Sequence, residues 1–167
     1  MPTKPLLAAL FTAFLLAAIV VPASAPAKQV DDTKAGISVD LPDGWKYEEG
    51  TPHNAKKVTS DDGVVIYVMR FDRELPTTVF KRFADEMQAI MSDAKPGDDV
   101  EDVTVHGLRA QKFTGNGRKD DAAVKFSALL LGHEGGATIC VIAVGPETNF
   151  KRHLRDIDAA LDSVRPK

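Results

Sequence analysis

Cysteine is nearly absent: the 167-residue chain has one, Cys140, so no intrachain disulfide can form. Cys140 lies in the apolar run 138–144 beside Ile139, Val141 and Ile142, where a small buried hydrophobe is expected rather than a nucleophile or an intermolecular thiol. No cysteine stands just after the N-terminal apolar run, which removes the usual attachment point for a lipid anchor. Charge of one sign is also lacking, with 21 Lys and Arg against 24 Asp and Glu and a formal net charge of −3. So even a balance offers no global attraction for nucleic acid or anionic lipid. The histidines His53, His106, His133 and His153 are scattered, and no two stand at the three- or four-residue spacing that presents metal ligands on one helical face. Neither a metal nor any other cofactor is expected. The chain also lacks the Gly-x-Ser-x-Gly turn of a serine hydrolase.

What is present begins with a processing signal. Lys4 precedes an uncharged apolar run from Leu6 to Val21, which is followed by the small residues Ala23, Ser24, Ala25 and Ala27. That order is the signature of a secretory signal peptide, and the run is shorter than the roughly 20 residues of a membrane-spanning helix. Cleavage is expected after Ala27, since cleavage after Ala25 would leave Pro26 first. Removal of residues 1–27 leaves 140 of the 167, the size of one domain. Residues 28–35 are polar and without apolar rhythm, which predicts a flexible leader before a single domain over residues 36–165.

The domain alternates strand and helix patterns. Ile37, Val39 and Leu41 alternate with polar residues up to a turn at Pro42, Asp43 and Gly44, and Trp45 and Tyr47 open a return strand. Residues 64–71 are apolar on both faces, as in a central strand covered on both sides. Val79, Phe80, Phe83, Met87, Ile90 and Met91 form one stripe of a helix over 78–94, stopped by Pro96 and Gly97. Lys81 with Asp85 and Arg82 with Glu86 are expected to pair on its exposed side. Strands follow at 103–105, 108–114, 122–131 and 137–144. A loop is predicted at 115–120, and a hairpin joins the last two strands. The stripe Phe150, Leu154, Ile157, Leu161 marks a closing helix capped by Asn149. The fold class is therefore α+β: an antiparallel β-sheet of about six strands flanked by two amphipathic helices, in the order β-β-β-α-β-β-β-β-α.

Two segments carry a resemblance. The run Gly36, Ile37, Ser38, Val39, Asp40, Leu41, Pro42, Asp43, Gly44, Trp45 resembles the opening strand and bend of the PsbP-like superfamily, which includes exported bacterial proteins of the DcrB type. Residues 150–165, with Leu161, Asp162, Ser163 and Val164, resemble its closing helix. The resemblance spans most of the domain and implies a PsbP-like sandwich that assists assembly or binding. It carries no catalytic motif and transfers no site residue.

Three further constellations bear on function. Asp98, Asp99, Glu101 and Asp102 supply hard oxygen ligands but not a calcium loop's glycine and spacing, which favours a solvated turn. Gly115, Asn116, Gly117, Arg118 and Lys119 precede two aspartates and no helix, so a hairpin loop is expected rather than a phosphate cradle. Lys151, Arg152 and Arg155 crowd the start of the closing helix, where the macrodipole favours carboxylates; pairing of Arg152 with Asp156 and Arg155 with Asp158 would relieve it. These three cations are the candidate partner patch. The expected function is an exported, non-enzymatic accessory or protein-binding module of the cell envelope, periplasmic or secreted. It would bind another envelope protein, with no stable insertion in the membrane. The alternative is a carrier of a small apolar ligand between the sheet and the helix bearing Phe80, Phe83 and Met87.

Overall fold

The computed structural model describes residues 28–32, 36–48, 55–71, 76–132 and 137–167, with side chains except at 32 and 76–82. The expected signal segment and the loops holding His53 and His133 lie outside the described residues. In chain order the elements are β1 (Lys28–Asp32), β2 (Ile37–Leu41), β3 (Lys46–Glu48), β4 (Lys56–Thr59), β5 (Val65–Phe71), α1 (Pro76–Ile90), β6 (Ser92–Val105), β7 (Leu108–Lys119), β8 (Ala122–Gly132), β9 (Thr138–Pro146), α2 (Glu147–Arg152), α3 (Leu154–Asp162) and β10 (Arg165–Pro166). Seven strands form one sheet in the order β3-β4-β5-β9-β8-β7-β6, and β1, β2 and β10 form a second with β2 in the middle. Neighbouring strands run antiparallel. The α+β class matches the expectation; the main sheet has one strand more than the six expected, and a small second sheet joins it.

The sequence of the central strands dictates the layers. Along β9, Ile139, Val141 and Ala143 enter one core while Cys140, Ile142 and Val144 enter another. β8 divides in the same way, Leu129 and Leu131 against Phe126, Ala128 and Leu130. Strands apolar on both faces have to be covered on both. On one face lie Ile37, Val39 and Leu41 of β2, Phe150 of α2, and Ile157 and Leu161 of α3. On the other lie Met87 of α1 and Met91 just beyond it.

Several local expectations are corrected. Residues 28–32, assigned to a flexible leader, form β1, paired along its length with β2. Val30 is buried there, and Asp31 accepts hydrogen bonds from Ser38 (2.8 Å) and Gln29 (2.9 Å) and an ion pair from Lys167 (2.7 Å). Ser38 and Lys167 lie outside the strand, so these contacts leave no local periodicity to read. The strand opened by Trp45 and Tyr47 pairs with β4, not with β2, which carries the chain from the small sheet to the large one. Helix α1 ends at Ile90, and β6 begins at Ser92, well before Val103. Glu86, expected on the solvent side of α1, is buried, and the side chains of Lys81 and Arg82 lie outside the described residues. The closing helix is two helices that meet at His153, and Pro146, not Asn149, holds the N-terminal cap position.

The predicted loop at 115–120 is the continuation of β7 to Lys119, with the turn at Asp120 and Asp121, both at positive φ. Its glycines serve close approach rather than flexibility. Gly115 stands opposite Phe126 of β8, and a Cβ there would collide with the Phe126 ring and the Lys95 carbonyl oxygen. At Gly117 a Cβ would lie 2.6 Å from the Met91 sulfur, the end of a flexible side chain. Gly115→Ala is therefore expected to lose about 1–3 kcal/mol of stability, the usual cost of overpacking a core, and Gly117→Ala distinctly less. Urea denaturation of the two variants side by side checks this, and equal losses would contradict it.

Candidate functional site

A cleft of about 480 Å³ opens between α1 and the β6–β7 end of the main sheet, within the roughly 300–1,000 Å³ range of small-molecule sites. Phe83, Ala84, Met87 and Gln88 form its helical wall, two adjacent pairs four residues apart and so on one helix face. Gln111 and Phe113 of β7 and Phe126 of β8 form its floor. Phe83 meets Phe113 edge-on at 5.7 Å, and Phe113 meets Phe126 edge-on at 6.4 Å, so the rings hold one another in a fixed T-shaped series.

Strand β6 makes the far rim with Ala94, Pro96 and Val100. Its pairing with β7 slips twice. Between the pairs Pro96–Gly115 and Val100–Phe113, three residues of β6 face one of β7, and such a bulge bends the strand. Val100 is left 55% exposed at the opening. Asp102 stands opposite Gln111 and accepts a hydrogen bond from its side-chain amide at 3.2 Å. The acidic stretch expected in a solvated turn is thus part of an edge strand, with Asp98, Asp99, Glu101 and Asp102 exposed.

The candidate patch Lys151, Arg152 and Arg155 is divided between α2 and α3. Because α2 is a short separate helix, Glu147 sits in its first turn and Lys151 and Arg152 in its last, which agrees with the helix dipole instead of opposing it. Lys151 pairs with Glu147 at 2.9 Å and Arg152 with Asp62 at 2.9 Å; the pairs expected for Arg152 and Arg155 do not form. Asp156 instead meets His153, and Asp158 meets Lys112 at 3.2 Å. Arg155 is exposed and makes no ion pair among the described residues.

Asp62, in the turn before β5, gathers this end of the molecule. It accepts a hydrogen bond from the Ser60 hydroxyl at 2.6 Å and lies 3.1 Å from His153 Nε2, whose Nδ1 is 3.1 Å from Asp156. Asn149 donates to the Asp62 carbonyl at 2.7 Å, and Trp45 packs edge-on against the imidazole at 5.1 Å. The Ser60 hydroxyl, followed by the charges of His153 and Arg152, holds the Asp62 carboxyl below its ordinary value of 3.8. The Asp62 carboxylate and both ring nitrogens of His153 have partners within this cluster, which is the arrangement of a staple between the β4–β5 turn and the α2–α3 joint. Burial pushes the Cys140 thiol well up, which removes the thiolate a nucleophile needs.

Of the cleft residues, the sequence indicated Phe83 and Met87; Phe80 has its side chain outside the described residues. Val100, Gln111, Phe113 and Phe126 were not singled out. They come from three strands, and an alternating strand pattern tells which residues share a face but not which part of a face stays uncovered.

No protein-family model matches the chain, and no curated protein matches its sequence. Solved structures do match its fold. It is similar to the cyanobacterial PsbP protein CyanoP of Synechocystis, with 15% identity and a TM-score of 0.63 over 89% of this chain and 96% of that one. It is also similar to LpqN of Mycobacterium tuberculosis, described as involved in cell envelope biogenesis, with 12% identity and a TM-score of 0.56 over 84% and 85% of the two chains. A third match, from Bacteroides thetaiotaomicron, has 9% identity and a TM-score of 0.57 over 86% of this chain and 49% of that one. The fold is PsbP-like, as the two sequence segments implied.

The Asp62 staple carries a pH signature. A carboxylate whose folded-state pKa is depressed adds stability in full above its ordinary value and loses it as pH falls through the folded value. Wild-type protein is expected to lose more thermal stability between pH 5 and pH 2.5 than an Asp62→Asn variant, which has no such charge to lose. Parallel melting curves across that range would refute the assignment.

Proposed function

We propose that the protein is an exported, non-enzymatic accessory module of the cell envelope that works by binding, with the α1 cleft as its site. The single observation behind this reading is the cleft: a concave, mostly apolar opening of about 480 Å³ whose aromatic walls are fixed by one another. Concavity, apolar lining and a few placed polar groups are the general marks of a ligand site. The basic patch supports the reading less, because two of its three cations are already committed within the chain.

Export is supported by the N-terminal pattern from Lys4 to Ala27, and an envelope role by likeness to LpqN in fold. No helix of the described residues is long and apolar enough to cross a membrane. The remaining titratable clusters look structural: His153 is held between Asp62 and Asp156, and Cys140 is sealed between β5 and β8. A binding role requires no reactive group, and the described lining of the cleft is apolar apart from the amides of Gln88 and Gln111.

Filling the cleft tests the proposal without deleting core atoms. Ala84 is exposed on the helical wall, so Ala84→Trp should occupy the opening and leave the fold intact. An uncharged solvatochromic dye is expected to bind residues 28–167 at one site, with affinity lowered by ~10-fold or more in the variant, about 1.4 kcal/mol or more. Unchanged affinity in an Ala84→Trp protein with a wild-type circular dichroism spectrum would refute the cleft as the site.

A further inference from the structure

We propose that the ligand of this cleft is a small amphiphile whose head donates hydrogen bonds, an alcohol or an ammonium, and not an anion such as a carboxylate. The inference rests on the binding reading above and adds the polarity of its polar end. It follows from the sign of the β6 rim and from Asp102, which lies beside Gln111. The described lining contains two polar side chains, Gln88 and Gln111. Gln111 gives one N–H of its amide to Asp102, which leaves its carbonyl oxygen and its second N–H for whatever enters.

An incoming anion at Gln111 would lie near the Asp102 carboxylate that its amide is bonded to. Strand β6, the whole far rim, has one lysine, Lys95, against Asp93, Asp98, Asp99, Glu101 and Asp102. Among the described residues Asp98, Asp99 and Glu101 make no ion pair, so their charge is not cancelled within the chain. Burying a carboxylate without a cation costs far more than burying a paired or neutral group. An ammonium or hydroxyl head, in contrast, can donate to the Asp102 carboxylate and to the Gln111 carbonyl oxygen, and a cation gains from the field of the rim. Val100 and the three phenylalanines then take the apolar body.

A matched series varies the head and keeps the tail: decylamine, decanol and decanoate at pH 7.5, below their micelle concentrations and at low salt. Each competes with the uncharged dye on residues 28–167. Decylamine and decanol are expected to displace the dye ~10-fold more effectively than decanoate, or better. In Asp102→Asn the gap between decylamine and decanoate should narrow; added salt should narrow it in the wild type as well, because exposed charges are screened. Decanoate binding as tightly as decylamine, or a flat ranking with the dye still bound, would overturn this inference and leave the cleft reading standing. Failure of the dye and all three amphiphiles to bind would overturn both.

Discussion

Everything in this molecule follows from having strands that are apolar on both faces in the middle of a sheet. β5, β9 and β8 carry Ile66 and Val68, Ile139 and Val141, and Leu129 and Leu131 on one side, and Met69, Cys140, Ile142, Phe126 and Leu130 on the other. Neither side tolerates water, so each must be roofed, and the two roofs are unequal. One is built from the small sheet, α2 and α3, and it is locked by the ends of the described chain. Arg165 makes two hydrogen bonds to the Asp40 carboxylate, at 2.7 and 2.8 Å, the Ser163 hydroxyl accepts from the Asp40 amide, and Lys167 reaches both Gly36 and Asp31. The other roof, among the described residues, is a single helix. A sheet of seven strands is ~30 Å across, and a helix with its side chains spans about 10–12 Å. One helix cannot cover that face, and the cleft lies where its cover gives out, beside β6 and β7.

The parts of this plan that were legible in the sequence are those set by local period. The alternation of Ile37, Val39 and Leu41, the two-faced runs of β5, β8 and β9, and the stripes of α1 and the closing helix all state their own environment. What could not be read is what depends on partners far away along the chain. β1 is a strand because Asp31 meets Ser38 and Lys167. Gly115 and Gly117 look like loop glycines until Phe126 and Met91 are seen to occupy the space a side chain would need. The basic cluster at 151–155 appears misplaced against a helix dipole only if the helix is continuous. The interruption at His153, and Asp62 some ninety residues earlier in the chain, dissolve the conflict. The candidate site was half legible for the same reason. Its helical wall follows from a 3.6-residue period, while its floor depends on which edge of the sheet α1 fails to reach.

The irregular edge strand connects fold and site. A long, regular edge invites pairing with other chains, and bulges and charge are the usual defences. β6 has both: two slips in register against β7, and carboxylates at Asp98, Asp99, Glu101 and Asp102. The same slips turn Pro96 and Val100 toward the opening, and the same charges give the rim its sign. A device that keeps the sheet edge from pairing thus also sets the shape and potential of the cleft. Relief of one is bound to alter the other: straightening β6 would complete the sheet edge at the cost of the cavity wall, and neutralising its carboxylates would remove both the edge's protection and the cleft's preference for a donor. The surface we propose for binding is therefore the part of the main sheet that α1 leaves unroofed, bounded by the strand that the sheet could not leave regular.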